Sequence, residues 1–124
     1  MEYSNILIVE DELIIAKVCE IYFTKNNTTK VNTVCCFKEA VEAMEQVFPD
    51  LVLMDIQLRG VRSGIDLAHW IRERSNVPII FSTGNGYKDT LQKVESIENS
   101  KLLSKPIKFD QLEETMKEFS IKAS

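Results

Sequence analysis

Short apolar runs alternate with longer stretches of helical periodicity along the whole chain. Residues 6–9, Ile-Leu-Ile-Val, and 51–54, Leu-Val-Leu-Met, are unbroken apolar runs. Continuous apolar runs of this length mark strands covered on both faces, as in a parallel sheet. The pattern predicts strands at 5–9, 31–35, 51–54, 79–82 and 101–104, with helices at 12–25, 38–47, 65–74, 88–97 and 109–121. Turn residues punctuate the series at 26–29, 49–50 and 83–86. In the last helix Phe109, Leu112, Met116 and Phe119 recur at three- and four-residue intervals and predict its buried stripe. Leu91, Val94 and Ile97 give the fourth helix a sparser one. A strand–helix unit repeated five times predicts an α/β fold with parallel strands.

The strand ends carry polar residues that packing does not require. Glu10 and Asp11 follow the first strand, Asp55 the third, Thr83 the fourth and Lys105 the fifth. A parallel sheet brings such ends to one edge, where open α/β folds bind their ligands. Carboxylates crowded there repel one another unless a hard divalent cation joins them, and oxygen donors suit magnesium. A lysine and a hydroxyl facing such a cation suit a phosphoryl group, and an aspartate in that setting can act as the nucleophile. Asp11 or Glu12 read alone would be a helix N-cap, but capping does not account for Asp55 and Lys105.

Composition narrows the field further. A length of 124 residues fits one domain, predicted over 1–124. The net charge of −4 argues against direct nucleic-acid binding. No apolar stretch is long enough to span a membrane, and the polar start of the chain lacks a secretory pattern, so a cytoplasmic location is expected. Cys19, Cys35 and Cys36 are odd in number and lack a C-x-x-C spacing, which predicts reduced thiols. Cys35-Cys36 reads as a strand end, and with His69 the single histidine no zinc spacing is present.

In combination, Glu10-Asp11, Met54-Asp55-Ile56, Ser82-Thr83-Gly84 and Lys105-Pro106 resemble the motifs of receiver domains of two-component response regulators, and the resemblance runs from Ile6 to about Phe119. It implies a flavodoxin-like (βα)5 three-layer sandwich with strand order 2-1-3-4-5. It implies that Asp55 accepts a phosphoryl group from a histidine kinase or histidine phosphotransfer protein. Mg2+ would be held by Asp11, Asp55 and the Gln57 backbone carbonyl, with Glu10 binding directly or through water. Thr83 and Lys105 would hold phosphoryl oxygens, the Lys105–Pro106 bond would be cis, and Gln57 and Asn85 would influence hydrolysis of the acyl phosphate. The signal would pass to a downstream protein through the surface of the fourth helix, fifth strand and fifth helix. Such a chain catalyses only its own phosphorylation and dephosphorylation and is not an enzyme with a turned-over substrate. Homodimerisation is left open.

Three positions depart from the family pattern. Position 10 is Glu where many receivers have Asp, and position 102 is Leu where many carry an aromatic that reports phosphorylation. The loop from Gln57 to Gly64 is long and lacks the usual proline. Glu10 and Leu102 keep a phosphorylation-independent binding module as the alternative. A haloacid-dehalogenase-type phosphatase would need an aspartate where Gln57 stands, and a flavin phosphate would be repelled by Glu10-Asp11-Glu12. The first helix is apolar in nearly every direction although a helix on a sheet buries one side. Ile14, Val18 and Ile21 are therefore candidate docking residues for a partner's histidine-bearing helix, against the alternative of a wide core stripe.

Overall fold

The computed structural model describes residues 3–25, 28–84 and 86–123, with side chains described as far as residue 120. Five strands and five helices alternate: β1 (Asn5–Val9), α1 (Leu13–Phe23), β2 (Lys30–Val34), α2 (Phe37–Gln46), β3 (Leu51–Asp55), α3 (Gly64–Arg72), β4 (Ile79–Thr83), α4 (Tyr87–Glu95), β5 (Ser100–Ser104) and α5 (Phe109–Ala123). The strands form one sheet in the order β2-β1-β3-β4-β5, and every neighbouring pair is parallel. Successive strand side chains point to opposite faces, and this divides the core. Leu7, Val9, Val52, Met54, Ile79, Phe81 and Leu102 pack with α2, α3 and α4. Ile6, Ile8, Leu51, Leu53 and Ile80 pack with α1 and α5. The result is the three-layer flavodoxin-like sandwich. β1, β3 and β4 are buried almost throughout. Each fully buried aliphatic side chain stabilises the fold by about 1.5–3 kcal/mol.

Element ends coincide with the sequence pattern or differ by at most two residues, because local hydrogen bonds, not periodicity, set them. Ser63 opens α3 with a capping box: its hydroxyl accepts from the Asp66 N–H at 3.3 Å, and Asp66 accepts from the Ser63 N–H at 2.8 Å. A cap of this kind is worth about 1 kcal/mol. Glu12 occupies the N-cap position of α1 but its side chain makes no capping bond. α4 starts at Tyr87 behind Gly86, whose φ of +66° suits glycine. It ends at Glu95, and Ile97 joins the core from beyond it. Among the described residues no helix is long and apolar enough to cross a membrane.

Candidate functional site

The site is assembled from the C-terminal ends of β1, β3, β4 and β5. The β1 ladder extends one residue, the Glu10 N–H donating to the Val34 carbonyl at 2.9 Å, and this holds Glu10 over the sheet edge. Asp55 is the last residue of β3, and the Ile56 N–H donates to the Ser82 carbonyl at 3.0 Å. Register places Asp55 opposite Ser82, and Thr83 opposite Ser104. The Lys105 N–H then donates to the Thr83 carbonyl at 2.8 Å, tying the fifth strand end to the fourth. Glu10, Asp55 and Thr83 are buried, at 4%, 6% and 3% exposure.

Carboxylate oxygens of Glu10, Asp11 and Asp55 all lie within 4.8 Å of one another. Lys105 stands among them. Its ammonium donates to Glu10 Oε1 at 3.0 Å and to Asp55 Oδ2 at 3.0 Å, and approaches Glu12 Oε1 at 3.5 Å. The other oxygens are also engaged: the Gln57 N–H donates to Asp55 Oδ1 at 3.0 Å, and the Glu12 N–H to Glu10 Oε2 at 3.2 Å. Burial, with the Asp55 charge adding to it, pushes the Glu10 carboxyl up to about 6 despite the Lys105 and Glu12 N–H bonds that oppose the rise. Burial alone would lower the Lys105 ammonium, but its hydrogen bonds to Asp55 and Glu10 overcome burial and raise it. One ammonium against three clustered carboxylates leaves the pocket under-compensated. An all-oxygen donor set carrying surplus negative charge fits a hard divalent cation such as Mg2+.

The structure thus brings Glu10, Asp11, Asp55, Thr83 and Lys105 to one edge, and the Lys105–Pro106 bond is cis. Gln57 meets Asp55 through its backbone N–H while its residue is exposed. Asn85 lies outside the described residues. Leu102 is buried at 7% exposure in the α2–α3–α4 layer, so no aromatic rotates at this position. The long loop after Asp55 folds back onto the start of α2. Arg59 forms a parallel bridge with Cys36, and the Arg62 guanidinium lies 4.4 Å from the Phe37 ring centre.

One functional residue escaped the sequence reading. Gly64 begins α3 against the back of the site, and its N–H donates to the Ile56 carbonyl at 2.7 Å. A Cβ there would collide with the Asp55 carbonyl oxygen and stand 3.1 Å from Ile56 Cα. The sequence signal was a glycine directly after a Ser N-cap, where a side chain is ordinarily tolerated. On α1, Ala16, Cys19 and Phe23 are buried, whereas Leu13 and Ile14 are 81% and 82% exposed and Val18 and Ile21 are exposed too. The wide core stripe is therefore not realised.

Comparison with known proteins agrees with this geometry. A family model described as response regulator receiver domain matches residues 6–117. The regulatory protein VanR of Enterococcus faecium is 41% identical over 87 residues, covering 70% of this chain and 36% of that protein. The regulatory protein LuxO of Vibrio cholerae is 32% identical over 117 residues, covering 94% of this chain and 25% of that protein. The chain thus spans about a quarter to a third of the length of these relatives. Among solved structures, the response regulator receiver domain of Erythrobacter litoralis PhyR superposes with a TM-score of 0.80 at 31% identity, covering 95% of this chain and 90% of that one.

Proposed function

This chain belongs to the response regulator receiver domain family of two-component signalling, and on that premise we propose that Asp55 is its phosphoacceptor in a Mg2+-dependent reaction. The observation that carries the reading is the buried Asp55 carboxylate, held by the Gln57 N–H on one oxygen and the Lys105 ammonium on the other, among clustered acids. An Asp55 carboxylate oxygen attacks the phosphorus of a phosphohistidine. The P–N bond breaks, an O–P bond forms, and the imidazole leaves. The Lys105 ammonium follows the charge onto a phosphoryl oxygen, and the Thr83 hydroxyl at the neighbouring strand end supports another. Both act as pre-placed electrostatic stabilisers. Bound magnesium, held by Asp11, Asp55 and the Gln57 carbonyl with Glu10 direct or through water, would neutralise the carboxylates and phosphoryl oxygens. The chain turns over no separate substrate; its chemistry is the making and hydrolysis of its own acyl phosphate.

The donor in this reading is a histidine kinase or phosphotransfer protein, which puts the domain in the cytoplasm with such donors. Ile14, Val18 and Ile21 beside the active edge form an exposed apolar stripe suited to a partner helix. Output to a downstream protein passes through α4, β5 and α5, which form an open groove lined by Tyr87, Leu103, Gln111 and Thr115. Intact mass after incubation with acetyl phosphate and Mg2+ tests the reading. A phosphoryl adduct on the wild type, absent from Asp55→Asn and lost with chelator, is expected. An adduct that survives Asp55→Asn overturns the assignment. No adduct from acetyl phosphate or from phosphohistidine donors leaves a binding module instead.

A further inference from the structure

A second cluster of metal-ligating side chains lies outside the acidic pocket, at the junction of β2 and α2. The sulfur atoms of Cys35 and Cys36 and a carboxylate oxygen of Glu39 all lie within 4.8 Å of one another. Neighbouring residues of an extended segment normally point apart. Here the chain turns into α2 at Cys36, its N-cap, and Glu39 stands in the first turn, from which an acidic side chain reaches back. Glu39 Oε1 accepts from the Cys35 N–H at 3.0 Å and from the Cys35 thiol at 3.2 Å. A proton therefore bridges the sulfur and the carboxylate where a cation could stand. Cys36 spends no side-chain bond on capping the helix, which leaves its sulfur to the cluster.

We propose that Cys35, Cys36 and Glu39 form a binding site for a thiophilic divalent cation of the zinc class. Two sulfurs and one carboxylate select zinc, cadmium or cobalt(II) over magnesium, the reverse of the all-oxygen pocket on the same sheet edge. On binding, the thiol protons leave to solvent and two metal–sulfur bonds and one metal–oxygen bond form, with water completing the tetrahedron. Tetrahedral zinc holds such donors at roughly 3.5–3.8 Å separation, so Cys35 Sγ and Glu39 Oε1, now 3.2 Å apart, open slightly as their shared proton leaves, and side-chain rotation brings the three donors around the cation. Two thiolates, a carboxylate and a dication leave one negative charge, and Arg59, bridged to Cys36 and interacting electrostatically with Glu39, balances it. The pairing i, i+1, i+4 is absent from the usual zinc spacings, so only the turn at the helix start reveals it.

The test is titration of the whole chain with Cd2+ in excess Mg2+ and a non-thiol reductant, read by thiolate-to-metal charge-transfer absorption and proton release. One Cd2+ per chain is expected. Affinity falls at least tenfold in Cys35→Ser and in Cys36→Ser, and falls in Glu39→Gln. It is unchanged in Cys19→Ser and Asp55→Asn. Circular dichroism checks the fold of each variant, and iodoacetamide-treated native chain supplies the same loss without a substitution. Absence of the charge-transfer band, its survival in the Cys35→Ser/Cys36→Ser double variant, or half a Cd2+ per chain with dimer formation each overturns the intrachain site. Indifference of Glu39→Gln overturns the three-ligand assignment.

Discussion

Lys105 is the cation that holds Glu10 and Asp55 together, and Lys105→Gln in the metal-free protein isolates its contribution. Its side chain is 13% exposed and its ammonium lies 3.0 Å from each carboxylate. Even so, Glu10 titrates at about 6 instead of 4.5, which destabilises its ionised folded form by about 2 kcal/mol. The penalty is absent below 4.5, where Glu10 is protonated folded and unfolded, and complete above 6. Wild-type stability in chelator therefore falls by about 2 kcal/mol across that window and then levels for this group. Lys105→Gln removes the ammonium that holds the Glu10 carboxyl down, so Glu10 stays protonated to higher pH. Folding with a protonated Glu10 at pH 7 costs about 3.4 kcal/mol, so through Glu10 the variant is weaker than wild type by up to about 1.4 kcal/mol there and by almost nothing at pH 5. The gap widens by about 1.4 kcal/mol for each further pH unit until Glu10 ionises. Loss of the charged hydrogen bond to Asp55 adds about 1.5–3 kcal/mol. Urea unfolding at pH 5, 6, 7 and 8, with chelator and then with Mg2+, measures this. Mg2+ is expected to collapse the slope, since a cation then compensates the carboxylates. A wild-type–variant gap equal at pH 5 and pH 8 in chelator would refute the reasoning.

Gly64→Ala should destabilise the fold by about 1–3 kcal/mol or more and slow acetyl-phosphate labelling, because the collision is with the backbone of Asp55 itself; unchanged urea midpoint and labelling rate would show that α3 simply moves aside. Ile14→Asp, at a position 82% exposed, should leave stability within about 0.5 kcal/mol and labelling by acetyl phosphate intact, yet slow phosphotransfer from a cognate kinase; equal loss of both reactions would remove α1 from partner recognition. Cys19 is buried, and burial, with the Glu10 charge adding, pushes its thiol up to about 11, so iodoacetamide at neutral pH should modify the native chain at Cys35 and Cys36 before Cys19, as peptide mass mapping would read.

The acidic edge was legible in the sequence because each of its residues ends an apolar run, and a parallel sheet aligns the ends of such runs without further information. Glu10, Asp55, Thr83 and Lys105 needed only the strand identities and their order. The two layers of core were legible only in part: alternation splits each strand between two faces, but the register, Leu7 opposite Val52 and Ile8 opposite Leu53, decides which residues share a layer. Helix ends were less so: the Ser63–Asp66 box and the glycine before Tyr87 act over single residues, beneath the resolution of a periodic pattern. On α1 the sequence marked a surplus of apolar residues. Only docking against the sheet decided that Ala16, Cys19 and Phe23 turn inward while Leu13, Ile14, Val18 and Ile21 remain in solvent.

By itself, then, the sequence determined the fold class, the strand ends that bear chemistry and the hard-cation character of their donors, because these follow from local patterning and residue type. The tertiary structure alone decided how Lys105 divides its charge between Glu10 and Asp55, why Gly64 admits no side chain, and that Glu39 meets Cys35 and Cys36. The first two depend on distances between atoms that packing of the whole sheet and its helices brings together; the third depends on the backbone turn into α2, which a periodic pattern does not specify.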